Sequence, residues 1–188
     1  MYTGIDLGVK KSGIAIIRNW RMEFFTLENA KIPEFLENKA KIASIDAPLS
    51  YGEVWRDCDK AISWAKPLPL NLPSMRRLMK EGIKIKRKLE EKGIKVIESH
   101  AGGIKKILDV KIEELGYELS KSPNRHEKDA GFLAFNSFLH NYRATQAYGE
   151  ECKIFLPRKE IGECIKEQAE LSRLVRVEPP RKIEKIAG

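Results

Sequence analysis

The sequence predicts a single α/β domain whose sheet mixes antiparallel and parallel strands. Three observations carry this. Three β-prone segments joined by short turns open the chain and read as an antiparallel meander. A short helical pattern then leads to a compact apolar strand, the crossover signature that makes this fourth strand parallel to the first. Beyond it, helical periodicities alternate with further short apolar runs. At 188 residues the chain suits one domain with its own core, and 42% hydrophobic with 33% charged residues is a globular composition.

The elements follow in order. Residues 2–6 form an apolar strand ending in Asp6, and residues 7–13 a glycine-bearing turn. Strands at 13–18 and 22–27 flank a turn at Asn19-Trp20-Arg21. A helix over 32–39 has Pro33 in its first turn, and the buried strand 41–46 is stopped by Pro48. Residues 56–65 can form a helix, whereas 67–73 holds three prolines and reads as an extended loop. Ser74 is the expected N-cap of a long basic helix running to about Lys92 and stopped by Gly93. A fifth strand covers 94–98, and 101–119 holds one or two short helices. Asn124 and Glu127 form a capping box for a helix over 125–142 with apolar residues at 132, 133, 135, 138 and 139. A last strand lies at 152–156. The main domain therefore spans 1–157, and 158–188 forms a helical extension with a charged tail.

The cysteines Cys58, Cys152 and Cys164 are odd in number and contain no C-x-x-C pair. This argues against a disulfide framework or a zinc knuckle and for a reducing compartment. There is no signal-peptide pattern at Met1 and no apolar run long enough for a membrane span, so the chain reads as cytoplasmic. Formal net charge is +8, and Arg76 to Lys95 concentrates nine basic against three acidic residues. Such a face is either a solvated helix surface or the footprint of a polyanion binder. Arg76, Arg77, Lys84 and Lys88 are the expected phosphate contacts, and Arg56 is a further fork for phosphate or carboxylate.

Asp6, Asp46 and Glu98 each end a strongly apolar strand. Carboxylates there are costly unless paired, and ligand sites of parallel sheets gather beyond the carboxyl ends of strands. Asp129 and His126 lie three apart near a helix start, where Ala130 and Gly131 allow close approach to a sheet. Each acid taken alone could instead cap a helix or satisfy turn amides, and His126 and Asp129 could be a local pair. Together the four acids suit hard divalent cations. Mg²⁺ or Mn²⁺ takes carboxylate oxygens, and a pair of ions can drive phosphodiester hydrolysis.

The ordered set Gly4-Ile5-Asp6, Ser44-Ile45-Asp46-Ala47-Pro48-Leu49, Arg56-Asp57-Cys58-Asp59, Val96-Ile97-Glu98-Ser99-His100, His126-Glu127-Lys128-Asp129-Ala130 and Ile154-Phe155-Leu156-Pro157 resembles the ribonuclease H-like superfamily. More narrowly it resembles the predicted-nuclease family catalogued as domain of unknown function 429. The chain departs from that pattern after His100, where Ala101-Gly102-Gly103 stands in place of a His-Pro pair. The resemblance implies a five-stranded mixed sheet of order 3-2-1-4-5 with helices on both faces. It also implies a metal-dependent nuclease site in which Asp6, Asp46, Glu98 and Asp129 hold the metal and His126 carries a proton or orients Asp129.

Two other readings stand beside a nuclease. One is a non-catalytic nucleic-acid-binding or interaction protein on the same fold. The other is a nucleotide-binding phosphotransferase of the actin and sugar-kinase type, which the length for one lobe disfavours. The expected partner is nucleic acid and not a membrane. The sequence fixes no oligomeric state and is compatible with a homodimer.

Overall fold

The computed structural model of the protein describes residues 1–176. The charged tail expected at the C-terminus lies beyond Arg176, outside the described residues. Three strands, β1 (Tyr2–Asp6), β2 (Lys11–Arg18) and β3 (Arg21–Glu28), form the antiparallel meander. Asn19 and Trp20 join β2 to β3 with φ of 49° and 62°. Two successive left-handed residues match the twist of the hairpin, at some cost for a tryptophan.

Helix α1 (Ile32–Leu36) carries the crossover to β4 (Ile42–Asp46), which pairs parallel to β1 with Asp6 opposite Asp46. After α2 (Asp57–Ala61) and α3 (Pro73–Glu91), strand β5 (Lys95–Glu98) pairs parallel to β4. Then come α4 (Ala101–Leu108), β6 (Glu118–Leu119), α5 (Arg125–Asn141), β7 (Thr145–Tyr148), β8 (Ile154–Pro157) and α6 (Lys159–Arg176).

The sheet has eight strands in the order β6-β3-β2-β1-β4-β5-β8-β7. Its middle five follow the expected 3-2-1-4-5. Three added strands explain the difference in count: β6 pairs with β3 through two residues, β8 pairs parallel with β5 at Glu98 and Ile154, and β7 reaches the sheet only as the hairpin partner of β8. Side chains of β2 alternate between two cores. Ala15 and Ile17 join the core under α4 and α5, while Ile14 and Ile16 join the core under α1 and α3.

Helix α5 lies against the strands with almost no spacer. A Cβ added at Gly4 would come within 2.0 Å of the Ala130 carbonyl oxygen, and one added at Gly13 within 2.6 Å of the His126 carbonyl oxygen. These two glycines set the start of α5 directly over the ends of β1 and β2. The Asn124–Glu127 capping box is present, with Asn124 Oδ1 accepting from Glu127 N at 3.0 Å and Glu127 Oε2 from Asn124 N at 3.0 Å.

Two expectations are corrected. Helix α3 begins at Pro73 with Leu72 at the cap position, so Ser74 lies inside the helix. Proline fits the first turn because its φ is already helical and its missing N–H would have had no partner there. Cys58 and Cys152 form a disulfide, with Cα atoms 5.6 Å apart, and Cys164 is free and exposed. An odd count does not exclude one bridge. The partners lie 94 residues apart, so short-range cysteine spacing carried no information about them. The inference of a reducing compartment loses its basis. Among the described residues no helix is long and apolar enough to cross a membrane.

Candidate active site

A cleft of about 250 Å³ opens at the carboxyl ends of β1, β4 and β5, lined by Asp6, Asp46, Glu98 and His100 and walled by Leu68, Met75 and Leu78. The parallel register of β1 and β4 puts Asp6 and Asp46 side by side. Asp6 Oδ2 lies 2.6 Å from Nδ1 of His126 in the first turn of α5. Asp46 Oδ2 accepts from the N–H of Ala101, the first residue of α4, at 3.0 Å. Asp129, one turn along α5 from His126, accepts from Lys105 Nζ at 2.7 Å.

These groups act on one another. Burial, against the hydrogen bond from Ala101 and with the added charges of Asp6, Asp129 and Glu98, pushes the Asp46 pKa up to about 7. Burial likewise raises Asp6, opposed by His126 and reinforced by Asp129. Burial thus holds both acids neutral to higher pH than usual, with Lys105 and the N-terminus of α4 as the nearby positive groups.

Glu98 and Arg56 also line the cleft, paired with each other. Glu98 Oε2 accepts from Leu49 N at 2.8 Å and from Arg56 NH1 at 2.9 Å, and its Oε1 from Arg56 NH2 at 2.5 Å. The same guanidinium donates to Asp59 at 2.7 and 3.0 Å and to Ser50 Oγ at 3.1 Å. Burial would lower the Arg56 pKa, but the hydrogen bonds and charges of Asp59 and Glu98 outweigh it and raise it. Arg56 is 7% exposed. It is a buried ion-pair partner at the cleft wall, and Glu98 has both oxygens engaged.

Donor chemistry at Asp6, Asp46 and Asp129 fits a hard divalent cation, and burial first, with neighbouring acidic charges second, keeps Asp46 protonated to higher pH than a free carboxyl. The three carboxylates do not form a set whose oxygens all lie within 4.8 Å of one another. Among the described residues the sets that do are Asp57-Cys58-Cys152 and Cys58-Asp59-Glu98. Both include disulfide sulfur, and Arg56 fills the second, so neither offers a cation site.

Two further residues belong to the site. Lys105 sits on Asp129, yet in sequence it is indistinguishable from Lys106, which turns away to the Trp64 carbonyl. His100 lines the cleft and caps α4 through Nδ1, which accepts from Gly103 N at 2.9 Å. Burial lowers its pKa, and with Nδ1 accepting, the neutral ring carries its proton on Nε2. Its place beside Glu98 at a strand end was the signal available. The basic residues Arg76, Arg77, Lys84 and Lys88 are all exposed on α3.

No protein-family model matches the chain, and no curated protein is significantly similar to it. Among solved structures, it is similar to Thermus thermophilus RuvC in complex with a Holliday junction substrate. The TM-score is 0.50 at 12% identity, covering 76% of this chain and 96% of that one. The fold is ribonuclease H-like. A second Thermus thermophilus RuvC structure is similar at TM-score 0.46 and 14% identity, over 75% of this chain and 95% of that one. At 12% identity the first likeness establishes the ribonuclease H-like architecture alone, and the chemistry rests on the cleft.

Proposed function

We propose that the protein is a divalent-metal-dependent nuclease hydrolysing phosphodiester bonds of DNA or RNA, related within the superfamily to domain of unknown function 429. What supports this is the pair Asp6 and Asp46, side by side at adjacent strand ends and both lining the cleft, with Asp129 near enough to act on both through its charge. Asp6, Asp46 and Asp129 would hold Mg²⁺ or Mn²⁺, as one ion or two. Bound there, the metal supplies an activated water and charge stabilisation for the leaving oxygen. Asp46 must give up its proton to serve as a ligand. His126 orients Asp6 and, being 73% exposed, can pass a proton to solvent. His100 offers its Nε2–H to a phosphate oxygen at the cleft wall. Glu98 holds Arg56 and so fixes the loop after β4 at the cleft wall. Arg76, Arg77, Lys84 and Lys88 bind phosphates without reading sequence.

The Lys105–Asp129 ion pair favours a second reading, a nucleic-acid-binding protein without catalysis. One assay separates the two. Single strands, duplexes and a four-way junction are incubated with the protein in EDTA, Mg²⁺ or Mn²⁺. The nuclease reading expects metal-dependent products that Asp6→Asn and Asp46→Asn abolish. Cleavage that persists in EDTA or in both variants overturns it, and metal-independent binding with no cleavage of any substrate favours the second reading.

A further inference from the structure

Six of the ten exposed large apolar side chains among the described residues fall between β4 and α3: Tyr51 (72%), Val54 (40%), Trp55 (42%), Trp64 (40%), Leu68 (57%) and Leu72 (38%). Such a concentration of exposed apolar side chains in one segment marks a surface that something else covers. The segment is held in place. Leu70 is buried and donates its N–H to the Val54 carbonyl at 2.9 Å, and the Arg56 guanidinium is pinned to Glu98 and Asp59. The rings are thus displayed on an ordered support.

Their surroundings are basic and adjoin the acidic cleft. Leu68 is part of the cleft wall. Trp55 shares a hollow of about 450 Å³ with Lys60 and Lys66, bounded by Asp59 and Pro67, which also line the cleft. Tyr51 shares a hollow of about 600 Å³ with Arg76 and Lys80. One acid, Glu53, lines the Tyr51 hollow, and Asp59 bounds the Trp55 hollow, so each hollow holds two cations against one acid. Asp57 accepts from the backbone N–H groups of Glu150, Glu151 and Cys152, and Asp59 is bound to Arg56.

Flat exposed rings interleaved with cations match the two faces of a single-stranded nucleic acid, whose bases stack while its phosphates pair with Lys and Arg. A continuous duplex hides its base faces and could use only the cations. A second copy of the chain would bring this basic surface against itself in a symmetric contact, with like charges opposed. We propose that residues 51–72 form a binding surface for unpaired nucleotides of DNA or RNA. Tyr51 and Trp55 stack on bases, Lys66 and Arg76 meet phosphates, and the strand is led to the acidic cleft. The direction of the strand rests on the nuclease reading, but the stacking surface does not.

The test uses the full chain in EDTA, so that cleavage cannot intervene, and fluorescein-labelled oligothymidylate, oligouridylate and a mixed-sequence duplex of about 15 nucleotides each. Fluorescence anisotropy should show one or both single strands bound about tenfold or more tighter than the duplex. Tyr51→Ala with Trp55→Ala should weaken single-strand binding by about tenfold or more and leave duplex binding unchanged, whereas Trp55→Phe should keep most of the affinity. Comparing the two single strands identifies the source, DNA or RNA. Circular-dichroism melts confirm that the variants fold. Equal affinity for single strand and duplex overturns the proposal, as does affinity indifferent to loss of both rings or no binding of any probe. A dimer that dissociates on Trp55→Ala with unchanged oligonucleotide affinity also overturns it. None of these failures touches the metal reading, which Mn²⁺-dependent melting tests separately.

Discussion

Asp46 is the residue on which the chemistry turns. Its pKa is raised from 3.8 to about 7 in the folded chain, so the native state holds a proton that the unfolded chain has lost between those values. The associated penalty is absent below pH 4, grows as pH rises through that window and is complete above pH 7. Asp46→Asn should therefore stabilise the metal-free protein at pH 8, by on the order of 2–4 kcal/mol, and have little effect near pH 4. Denaturant unfolding at the two pH values measures this, and equal effects at both would show that Asp46 is not elevated. The reverse sign holds at Arg56. Arg56→Met strands Glu98 and Asp59 as buried unpaired acids and should cost about 3–5 kcal/mol in the same experiment. Asp6, Asp46 and Asp129 were legible because each closes an apolar strand or sits on the first turns of an amphipathic helix. The fate of Glu98 was not, since a strand-end carboxylate looks the same whether it faces a cation or an arginine 42 residues away. Lys105 was hidden for a related reason: only packing distinguishes it from Lys106.

At the scale of elements, the approach of α5 to β1 delivers His126 and Asp129 to Asp6. Gly4→Ala would drive a methyl group into the backbone of α5. It should cost on the order of 3 kcal/mol and separate Asp129 from the strand ends, read as a lower melting temperature together with weakened Mn²⁺ binding. A full loss of stability without change in Mn²⁺ affinity would break the link between this packing and the site. The Cys58–Cys152 bridge joins α2 to the loop before β8, closing a loop across 94 residues of sequence separation. Reduction, or Cys58→Ser with Cys152→Ser, should lower stability by about 2–5 kcal/mol through the entropy of the unfolded chain. The meander, the crossover and the long helices were readable because their hydrophobic periods are clean. Strands β6 and β7 were not: β6 has two residues, and β7, Thr145-Gln146-Ala147-Tyr148, has two exposed middle residues and no buried one. Pairing with a neighbour, rather than an apolar pattern, makes them strands.

Over the whole molecule, a net charge of +8 coexists with a cleft lined by the acids Asp6, Asp46, Asp59 and Glu98. Arg76, Arg77, Lys84 and Lys88 are exposed, while their neighbours Lys86 and Arg87 reach Glu90 and Glu91. Reversing the four to Glu should weaken nucleic-acid binding and reduce the slope of log affinity against log salt by about one per lost phosphate contact. Unchanged affinity and slope would make α3 a solvated surface. Composition located this basic face, but the aromatic rim beside it became visible only when folding left those side chains uncovered. The central claim is that the acids form a cation site and not a structural ion pair. Thermal melts of the wild type and Asp6→Asn at pH 8, in EDTA and in Mn²⁺, test it most directly. His126 is too exposed for its pairing with Asp6 to contribute more than about 1 kcal/mol. Asp6→Asn should thus leave the metal-free protein equally stable or more stable, and should abolish an Mn²⁺-induced rise in melting temperature that the wild type shows. A destabilised Asp6→Asn protein, together with a wild type whose melting temperature ignores Mn²⁺, would contradict the account.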